Sequence, residues 1–174
     1  MSGAHRVVVG VSASPGSLPA LRYAGGIALR QDLELVAVHA WVPPGGDLAD
    51  RRYPSAYLRR TWADAAALRL REAIEAAWGG GLPGLTVRRV VVRGEPGPAL
   101  VDLAEVADVL VIGAGRRGWP GRLWHSRVSR YCLSHSRGPV IAVPPSALAR
   151  SGARGRAVVR ELTGEVAQRA SRAR

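Results

Sequence analysis

The chain from Asp108 to Val143 reads DVLVIGAGRRGWPGRLWHSRVSRYCLSHSRGPVIAV. An apolar run, Val109 to Ile112, leads into a loop rich in glycine and arginine, and a second apolar run follows from Val140 to Val143. Apolar residues recur with helical spacing between the loop and the second run, so the predicted order is strand, loop, helix, strand. Because α/β proteins hold phosphate groups where a glycine-rich loop enters a helix, we expect any ligand site at this loop.

The rest of the chain shows the same alternation. Apolar runs bounded by glycine and proline predict strands, and apolar residues at three- and four-residue steps predict helices. The predicted strands span residues 6–11, 35–41, 85–92, 109–112 and 139–143, and the predicted helices span residues 18–30, 55–78, 96–106 and 122–136. Five strands alternating with four helices predict an α/β fold with a parallel, doubly wound sheet and helices on both faces.

Length and composition predict one domain with a tail. The chain has 174 residues, 47% of them hydrophobic, which is enough for one domain with a substantial core. We assign residues 1–145 to the domain and residues 146–174 to an arginine-rich tail, partly disordered or a short helix and dispensable for folding. No apolar run approaches the roughly 18 residues that a membrane span needs, so we expect a soluble, cytoplasmic protein that contacts no membrane.

The net charge of +12 is the main argument for a nucleic-acid partner. All of the basic residues are arginine, and seven of them lie in the tail, where they face only two glutamates. The domain itself is therefore only moderately basic. No helix-turn-helix, zinc-binding or aromatic-platform pattern is present, so we expect salt-sensitive, non-specific attraction to polyanions but no specific nucleic-acid binding.

Four segments, taken in order, resemble a known family. They are VVVGVSASPGSLPALRYA (7–24), LELVAVHAW (33–41), VVVRGEPGPALVDLAEVADVLVIGAG (90–115) and GWPGRLWHSRVSRYCLSHSRGPVIAVP (118–144). Together they resemble the universal stress protein family over residues 6–144. The resemblance implies a Rossmann-like sheet of the adenine nucleotide alpha hydrolase-like type, with strand order 3-2-1-4-5. It also implies a homodimer through the last strand, Pro139 to Val143, and in many members ATP at the switch point between strands 1 and 4.

The phosphate motif of the ATP-binding members is poorly matched. That motif is a glycine, two residues, a second glycine, nine residues, a third glycine, and then serine or threonine. Gly113 matches the first position, whereas Arg116, Ser126 and Arg127 occupy the other three, and Gly115 lies one residue before the second. A β-carbon at the third glycine position restricts both positive φ and close approach of the backbone to phosphate.

Two further points bear on the ligand. Ser12 stands where the ATP-binding members have an acidic residue that helps to hold the nucleoside. Arg127 either obstructs the site or grips a phosphate bidentately in place of the lost backbone contacts. We therefore expect a remodelled site, in which ATP is lost or another anionic ligand is favoured. The resemblance implies that the cofactor site consists of Val11, Ser12, Ala40, Ile112, Gly113, Gly115, Arg116, Ser126, Arg127, Val128 and Ser129.

Other candidate residues have plain structural interpretations. His39, at the end of strand 2, is expected to be packed and hydrogen-bonded near the pocket, and Cys132 is expected in the core. As the only cysteine, Cys132 also excludes an internal disulfide and a multi-cysteine metal site. Trp119 and Trp124 flank the glycine-rich loop and are interpreted as interface anchors rather than base-stacking groups.

These observations predict a non-catalytic, dimeric stress-response module with a degenerate nucleotide site and an unidentified protein partner. No Ser-His-Asp set and no metal-ligand spacing supports catalysis. The alternative is an ATP-binding member that uses ATP and magnesium as a nucleotide-dependent switch or as a slow ATPase.

Overall fold

A computed structural model describes residues 6–12, 16–79, 82–106, 108–114 and 127–145. The predicted tail and the loop that holds Gly115, Arg116 and Ser126 lie outside the described residues, as do Trp119 and Trp124. The described strands and helices, in chain order, are β1 (Arg6–Gly10), α1 (Ser17–Gln31), β2 (Glu34–Trp41), α2 (Gly46–Arg52), α3 (Ala56–Trp78), β3 (Val87–Arg93), α4 (Pro96–Leu103), β4 (Val109–Gly113), α5 (Arg127–His135) and β5 (Val140–Val143).

The five strands form one parallel sheet in the order β3-β2-β1-β4-β5, which confirms the predicted topology. In the central strand, Val8 pairs with Val36 of β2 on one side and with Leu110 of β4 on the other. Because all five strands run in the same direction, their carboxyl ends meet at one edge of the sheet. An α/β protein places its ligand at that edge, where the strand order reverses.

Each face of the sheet has its own core, because successive side chains of a strand point to opposite faces. Helices α1 and α3 cover one face, on which the buried residues include Val7, Val9, Leu21, Leu35 and Leu70. Helices α4 and α5 cover the other, on which they include Val8, Val36, Leu100, Leu110 and Cys132. The predicted core position of Cys132 is confirmed, since that residue is fully buried.

Helix α2 corrects the prediction of four helices. Its seven residues are too few for a recognisable apolar periodicity, so the sequence predicts no helix there. Tertiary ion pairs hold it instead, because an Arg93 guanidinium nitrogen at the end of β3 lies 2.8 Å from a carboxylate oxygen of Asp47 and 2.8 Å from one of Asp50. Asp50 also lies 3.5 Å from Nε of Arg59 on α3, so its buried carboxylate joins α2 to both neighbours.

Helix α3 begins one residue after its predicted start and ends at its predicted last residue. The hydroxyl of Ser55 accepts the backbone N–H of Leu58 at 3.3 Å and caps the first turn. Gly79 follows the last residue with a φ of 63°, a conformation that glycine adopts without strain. Leu70 and Ala66 are the buried residues of this helix.

Two other boundaries differ from the prediction. Helix α4 ends at Leu103 rather than at residue 106, because the carboxylate of Asp108 accepts the backbone N–H of Glu105 at 3.0 Å and holds the following chain in a turn. Strand β3 begins at Val87, two residues after the predicted start. The helix predicted over 122–136 is described from Arg127 to His135, and residues 122–126 lie outside the described part of the chain.

A buried ion pair fastens the amino ends of β1 and β4, at the edge of the sheet opposite the carboxyl ends. The Asp108 carboxylate accepts hydrogen bonds from the backbone N–H of Arg6 at 3.0 Å and from its guanidinium at 2.6 and 3.2 Å. Arg6 also lies 3.0 Å from Glu105, whose side chain is 78% exposed. Burial raises the pKa of Asp108, but the hydrogen bonds from Arg6 and Glu105 outweigh burial and hold that pKa below its usual range.

Candidate functional site

A cavity of about 190 Å³ opens where the carboxyl ends of β1, β2 and β4 meet. It lies on the face covered by α4 and α5, because residues from those two helices form its outer wall. The lining residues are Gly10, Val11, Ser12, Ser17, Val38, Ala40, Pro96, Leu100, Ile112, Gly113 and Val128. The position is the switch point between β1 and β4, where doubly wound proteins bind their ligands.

Six of the eleven predicted site residues line this cavity: Val11, Ser12, Ala40, Ile112, Gly113 and Val128. The two other described ones belong to α5 and are not among the lining residues. Ser129 is buried, and its hydroxyl donates a long hydrogen bond of 3.4 Å to the carbonyl of Gly113. Arg127 is exposed. Gly115, Arg116 and Ser126 lie outside the described residues, so their part in the site stays a prediction.

Gly113 is at a position where the backbone requires glycine. A β-carbon there would lie 2.8 Å from the carbonyl oxygen of Gly16 and 2.9 Å from its carbonyl carbon, and neither atom belongs to a flexible side chain. The close approach brings the loop before α1 against the end of β4. The backbone of Gly113, a lining residue, is therefore held against the chain that leads into α1.

Two backbone N–H groups that follow β1 donate hydrogen bonds to other parts of the fold. The hydroxyl of Ser17, the first residue of α1, accepts the backbone N–H of Ser12 at 2.8 Å. The backbone N–H of Val11 donates to the carbonyl of Val38 at 2.8 Å. These donors already have protein acceptors in the structure, so they can reach a ligand only if the loop rearranges.

His39 supports the same loop from β2. Its Nδ1 lies 2.8 Å from the carbonyl oxygen of Val11, and the residue is 8% exposed. This confirms the prediction of a packed, hydrogen-bonded histidine beside the pocket. The contact fixes the backbone of a lining residue, so His39 acts on the cavity through Val11.

The electrostatics of the described cavity favour an anion over a cation. None of the described lining residues is charged. The first residues of α1 and α4, Ser17 and Pro96, both line the cavity, so two helix amino ends direct partial positive charge toward it. Neither helix has an acidic residue in its first turn.

Five lining residues were not predicted: Gly10, Ser17, Val38, Pro96 and Leu100. Val38 lies two residues before Ala40 and so faces the same side of the sheet, which is a signal that sequence alone provides. Leu100 had no such signal, because its place over the cavity depends on how α4 packs against Gly10. A β-carbon on Gly10 would lie 2.8 Å from Cδ1 of Leu100.

With this geometry established, comparison with known proteins identifies the family. A model described as the universal stress protein family matches residues 3–144. The chain belongs to the universal stress protein family. Universal stress protein Rv1996 of Mycobacterium tuberculosis strain H37Rv is 35% identical in an alignment of 143 residues that covers 78% of this chain and 42% of that protein. Universal stress protein Rv2623 of the same strain is 35% identical over 141 residues, 80% of this chain and 45% of that one. The chain thus spans less than half the length of these curated relatives.

Solved universal stress proteins share the fold. One crystallised in complex with cAMP is 28% identical, with a TM-score of 0.51, and the match covers 83% of this chain and 100% of the other. UspA from Lactobacillus plantarum is 21% identical, with a TM-score of 0.58, over 81% of this chain and 99% of the other. At that identity the second likeness shows the fold alone.

Among the described residues, no group of three or more His, Cys, Asp or Glu side chains is arranged to hold a metal ion. None of the described helices is both long and apolar enough to cross a bilayer.

Proposed function

We propose that this universal stress protein is a cytoplasmic, non-catalytic, dimeric regulatory module whose nucleotide site has been remodelled, so that ATP binding is lost or altered. The observation that carries the proposal is the switch-point cavity, which keeps the family's position but has no charged side chain among its described lining residues. Ser12 in place of an acid removes the partner of a nucleoside, while two helix amino ends still favour an anion.

The described residues fit ATP poorly at two points. The Ser12 N–H and the Ser17 hydroxyl are already bonded to each other at 2.8 Å, and Arg127 stands exposed where the motif has a compact hydroxyl. We derive no step of ATP hydrolysis for this chain. The alternative, an ATP–magnesium switch or slow ATPase, is favoured by one observation, namely that a 28% identical member was solved with the adenine nucleotide cAMP.

Calorimetric titration with ATP and magnesium tests the proposal. Wild type is expected to show no saturable binding. The quadruple variant Ser12→Asp, Arg116→Gly, Ser126→Gly, Arg127→Ser restores the family motif and is expected to bind with a micromolar dissociation constant, or about −8 kcal/mol. Tight ATP binding by wild type would favour the alternative. If neither wild type nor the quadruple variant binds ATP, other residues close the pocket.

The single variant Arg127→Ser separates obstruction from a phosphate grip. If Arg127 obstructs the site, its replacement leaves binding unchanged or improves it. If Arg127 holds a phosphate, wild type binds a nucleotide and the variant loses about 1.5–3 kcal/mol, the worth of a hydrogen bond to a charged group. Arg130→Ser is the matched control, since Arg130 is an exposed arginine on the same helix.

The dimer is proposed to form through β5, an edge strand of the sheet. The carbonyls of Pro139 and Val143 point toward β4, because they accept N–H groups from β4 and from the turn after it. Backbone groups of successive residues alternate in direction along a strand, so the backbone N–H groups of Val140 and Ala142 point to the free edge. An uncovered edge strand invites pairing with a second copy of itself. Ile141 packs against the core of its own subunit, so Ile141→Lys would disturb folding as well as association.

Ala142 allows a cleaner test of the dimer, because its side chain is exposed. Ala142→Pro removes one outward N–H, and proline is tolerated at a sheet edge. Ala142→Val keeps that N–H and serves as the control. Light scattering at micromolar concentration is expected to return a dimer for wild type and for Ala142→Val, and a monomer for Ala142→Pro. A monomeric wild type would contradict the proposal.

A further inference from the structure

Exposed apolar side chains are concentrated at one corner of the fold. The described residues include ten exposed large hydrophobic side chains, and five of them lie between positions 42 and 58: Val42, Leu48, Tyr53, Tyr57 and Leu58. Leu48, Tyr53 and Tyr57 are each nearly four-fifths exposed. We call these five residues, with the arginines between and after them, the α2–α3 corner. A concentration of exposed apolar side chains on neighbouring segments of the chain is typical of interaction sites.

The corner is held firmly to the rest of the molecule. The buried Asp50 carboxylate lies 2.8 Å from Arg93 of β3 and 3.5 Å from Arg59 of α3, so α2 is fastened to both. Below it, Trp41 at the end of β2 contacts Trp62 of α3, with ring centroids 6.4 Å apart. The exposed side chains are therefore presented from fixed helices, which lowers the entropic cost of binding.

The charge of the corner is strongly positive. Exposed Arg51, Arg52 and Arg60 form no ion pair with any described residue. The two acidic residues, Asp47 and Asp50, are both engaged by Arg93. Residues 42–60 hold four arginines and two aspartates, which leaves the corner with a net charge of +2. A complementary partner carries acidic groups beside apolar ones.

We propose that the α2–α3 corner docks an acidic segment of a partner protein whose apolar side chains cover Leu48, Tyr53 and Tyr57. Tyrosine and arginine are the residue types that anchor protein interfaces. Three of the five exposed apolar side chains are aliphatic, namely Val42, Leu48 and Leu58. Tyr53 and Tyr57 can stack on nucleic-acid bases, but bases would leave the aliphatic surface uncovered, whereas apolar protein side chains cover both kinds. A second copy of the corner would bring two net charges of +2 together, so self-pairing is disfavoured.

The inference rests on the proposed function only in that a non-catalytic module acts through a partner. The corner lies on α2 and α3, whereas α4 and α5 form the wall of the ligand cavity. Failure of the proposed function appears as ATP binding or turnover by wild type. Failure of the docking proposal appears in peptide binding to the corner, which is measured without nucleotide.

The test is selection of random 16-residue peptides displayed on phage against the full-length protein. Binding of the selected peptides is then measured by fluorescence polarisation on wild type and two double variants. Leu48→Ser/Tyr57→Ser alters the corner, while Tyr23→Ser/Leu68→Ser removes the same two residue types from exposed positions elsewhere. All four positions are exposed, so we expect both variants to fold, and circular dichroism checks this.

We expect the selected peptides to be net negative and to carry several large apolar residues. The corner variant is expected to weaken their binding at least tenfold and the control variant less than twofold. Arg51→Glu/Arg52→Glu is expected to weaken binding at least fivefold, with the larger loss at low salt.

Three results would overturn the proposal. One is a set of peptides that bind both double variants equally or that show no acidic preference. Another is that a 12-nucleotide oligouridylate binds wild type but not the corner variant, while every selected peptide binds the corner variant as well as it binds wild type. The third is self-association in light scattering that the corner variant abolishes, since the corner would then be an interface between copies of this chain.

Discussion

Asp108→Asn perturbs the most heavily hydrogen-bonded carboxylate among the described residues. Asp108 is 1% exposed and accepts four hydrogen bonds, two from backbone N–H groups and two from the Arg6 guanidinium. Asparagine keeps one accepting oxygen and turns its NH₂ toward groups that are themselves donors, so at least one backbone N–H loses its acceptor. Breaking a buried pair costs about 3–5 kcal/mol. We expect about 3 kcal/mol here, because the Arg6 side chain stays 20% exposed and keeps some hydration.

The pH dependence of this loss has a definite sign. The pKa of Asp108 is lower in the folded protein than its usual value near ~4, so the unfolded chain takes up the proton first as the pH falls. The contribution of the ionised carboxylate is therefore fully present above about pH 4 and declines as the pH falls through the folded pKa. The difference between wild type and Asp108→Asn is expected to be constant from pH 8 to pH 5 and to shrink below pH 4.

Urea denaturation followed by tryptophan fluorescence at several pH values measures both effects. Glu105→Gln is the matched control, because Glu105 contacts the same arginine at 3.0 Å but is 78% exposed, and an exposed pair contributes about 0–1 kcal/mol. The reasoning is refuted if Asp108→Asn costs less than 1 kcal/mol at pH 7. It is equally refuted if the control costs as much, or if the difference persists unchanged at acid pH.

Two further predictions follow from the packing. Gly113→Ala places a β-carbon against the backbone of Gly16 and is expected to lower the free energy of unfolding by about 2–3 kcal/mol. Gly10→Ala places a β-carbon at the same 2.8 Å from the movable end of the Leu100 side chain and is expected to cost less. Thermal melts that rank the two variants in the opposite order would contradict this reasoning. Cys132 is fully buried, and burial raises its pKa to about 11, so Ellman's reagent at pH 8 is expected to react at least a hundredfold more slowly with native than with denatured protein, and equal rates would contradict its core position.

The sheet was predictable because its signals are local. The apolar runs of β1 and β4 lie within one residue of their predicted ends, and α3 spans Ala56–Trp78 where residues 55–78 were predicted. Helix α2 was not predictable, because its seven residues are held by Arg93, which is more than forty residues away in the chain. The end of α4 was missed for a different reason: Asp108 accepts the backbone N–H of Glu105, three residues before it, and the apolar pattern by itself does not show that contact.

The residues of the candidate site also differ in whether a local signal in the sequence predicts them. The lining residues at strand ends, such as Val11 and Ile112, follow from the order of the strands, because carboxyl ends of parallel strands meet at one edge. Leu100 and Pro96 depend on the packing of α4, for which the sequence carries no local signal. Arg127 shows the limit of a motif alignment, because a position in the motif does not determine whether a long side chain points into the cavity or into solvent.

Strand β2 contributes to both proposed sites, because its successive side chains point to opposite faces of the sheet. Val38 and Ala40 line the cavity, whereas Trp41 turns to the other face and contacts Trp62 beneath the α2–α3 corner. Between them, His39 holds the carbonyl of Val11, a cavity residue, at 2.8 Å. A ligand that moves Val11 therefore acts on β2 through His39. If that movement alters the corner, ligand and peptide must change each other's affinity by the same factor, because thermodynamic coupling is reciprocal. Equal peptide affinity with and without bound ligand would show instead that β2 holds the two sites rigidly and independently.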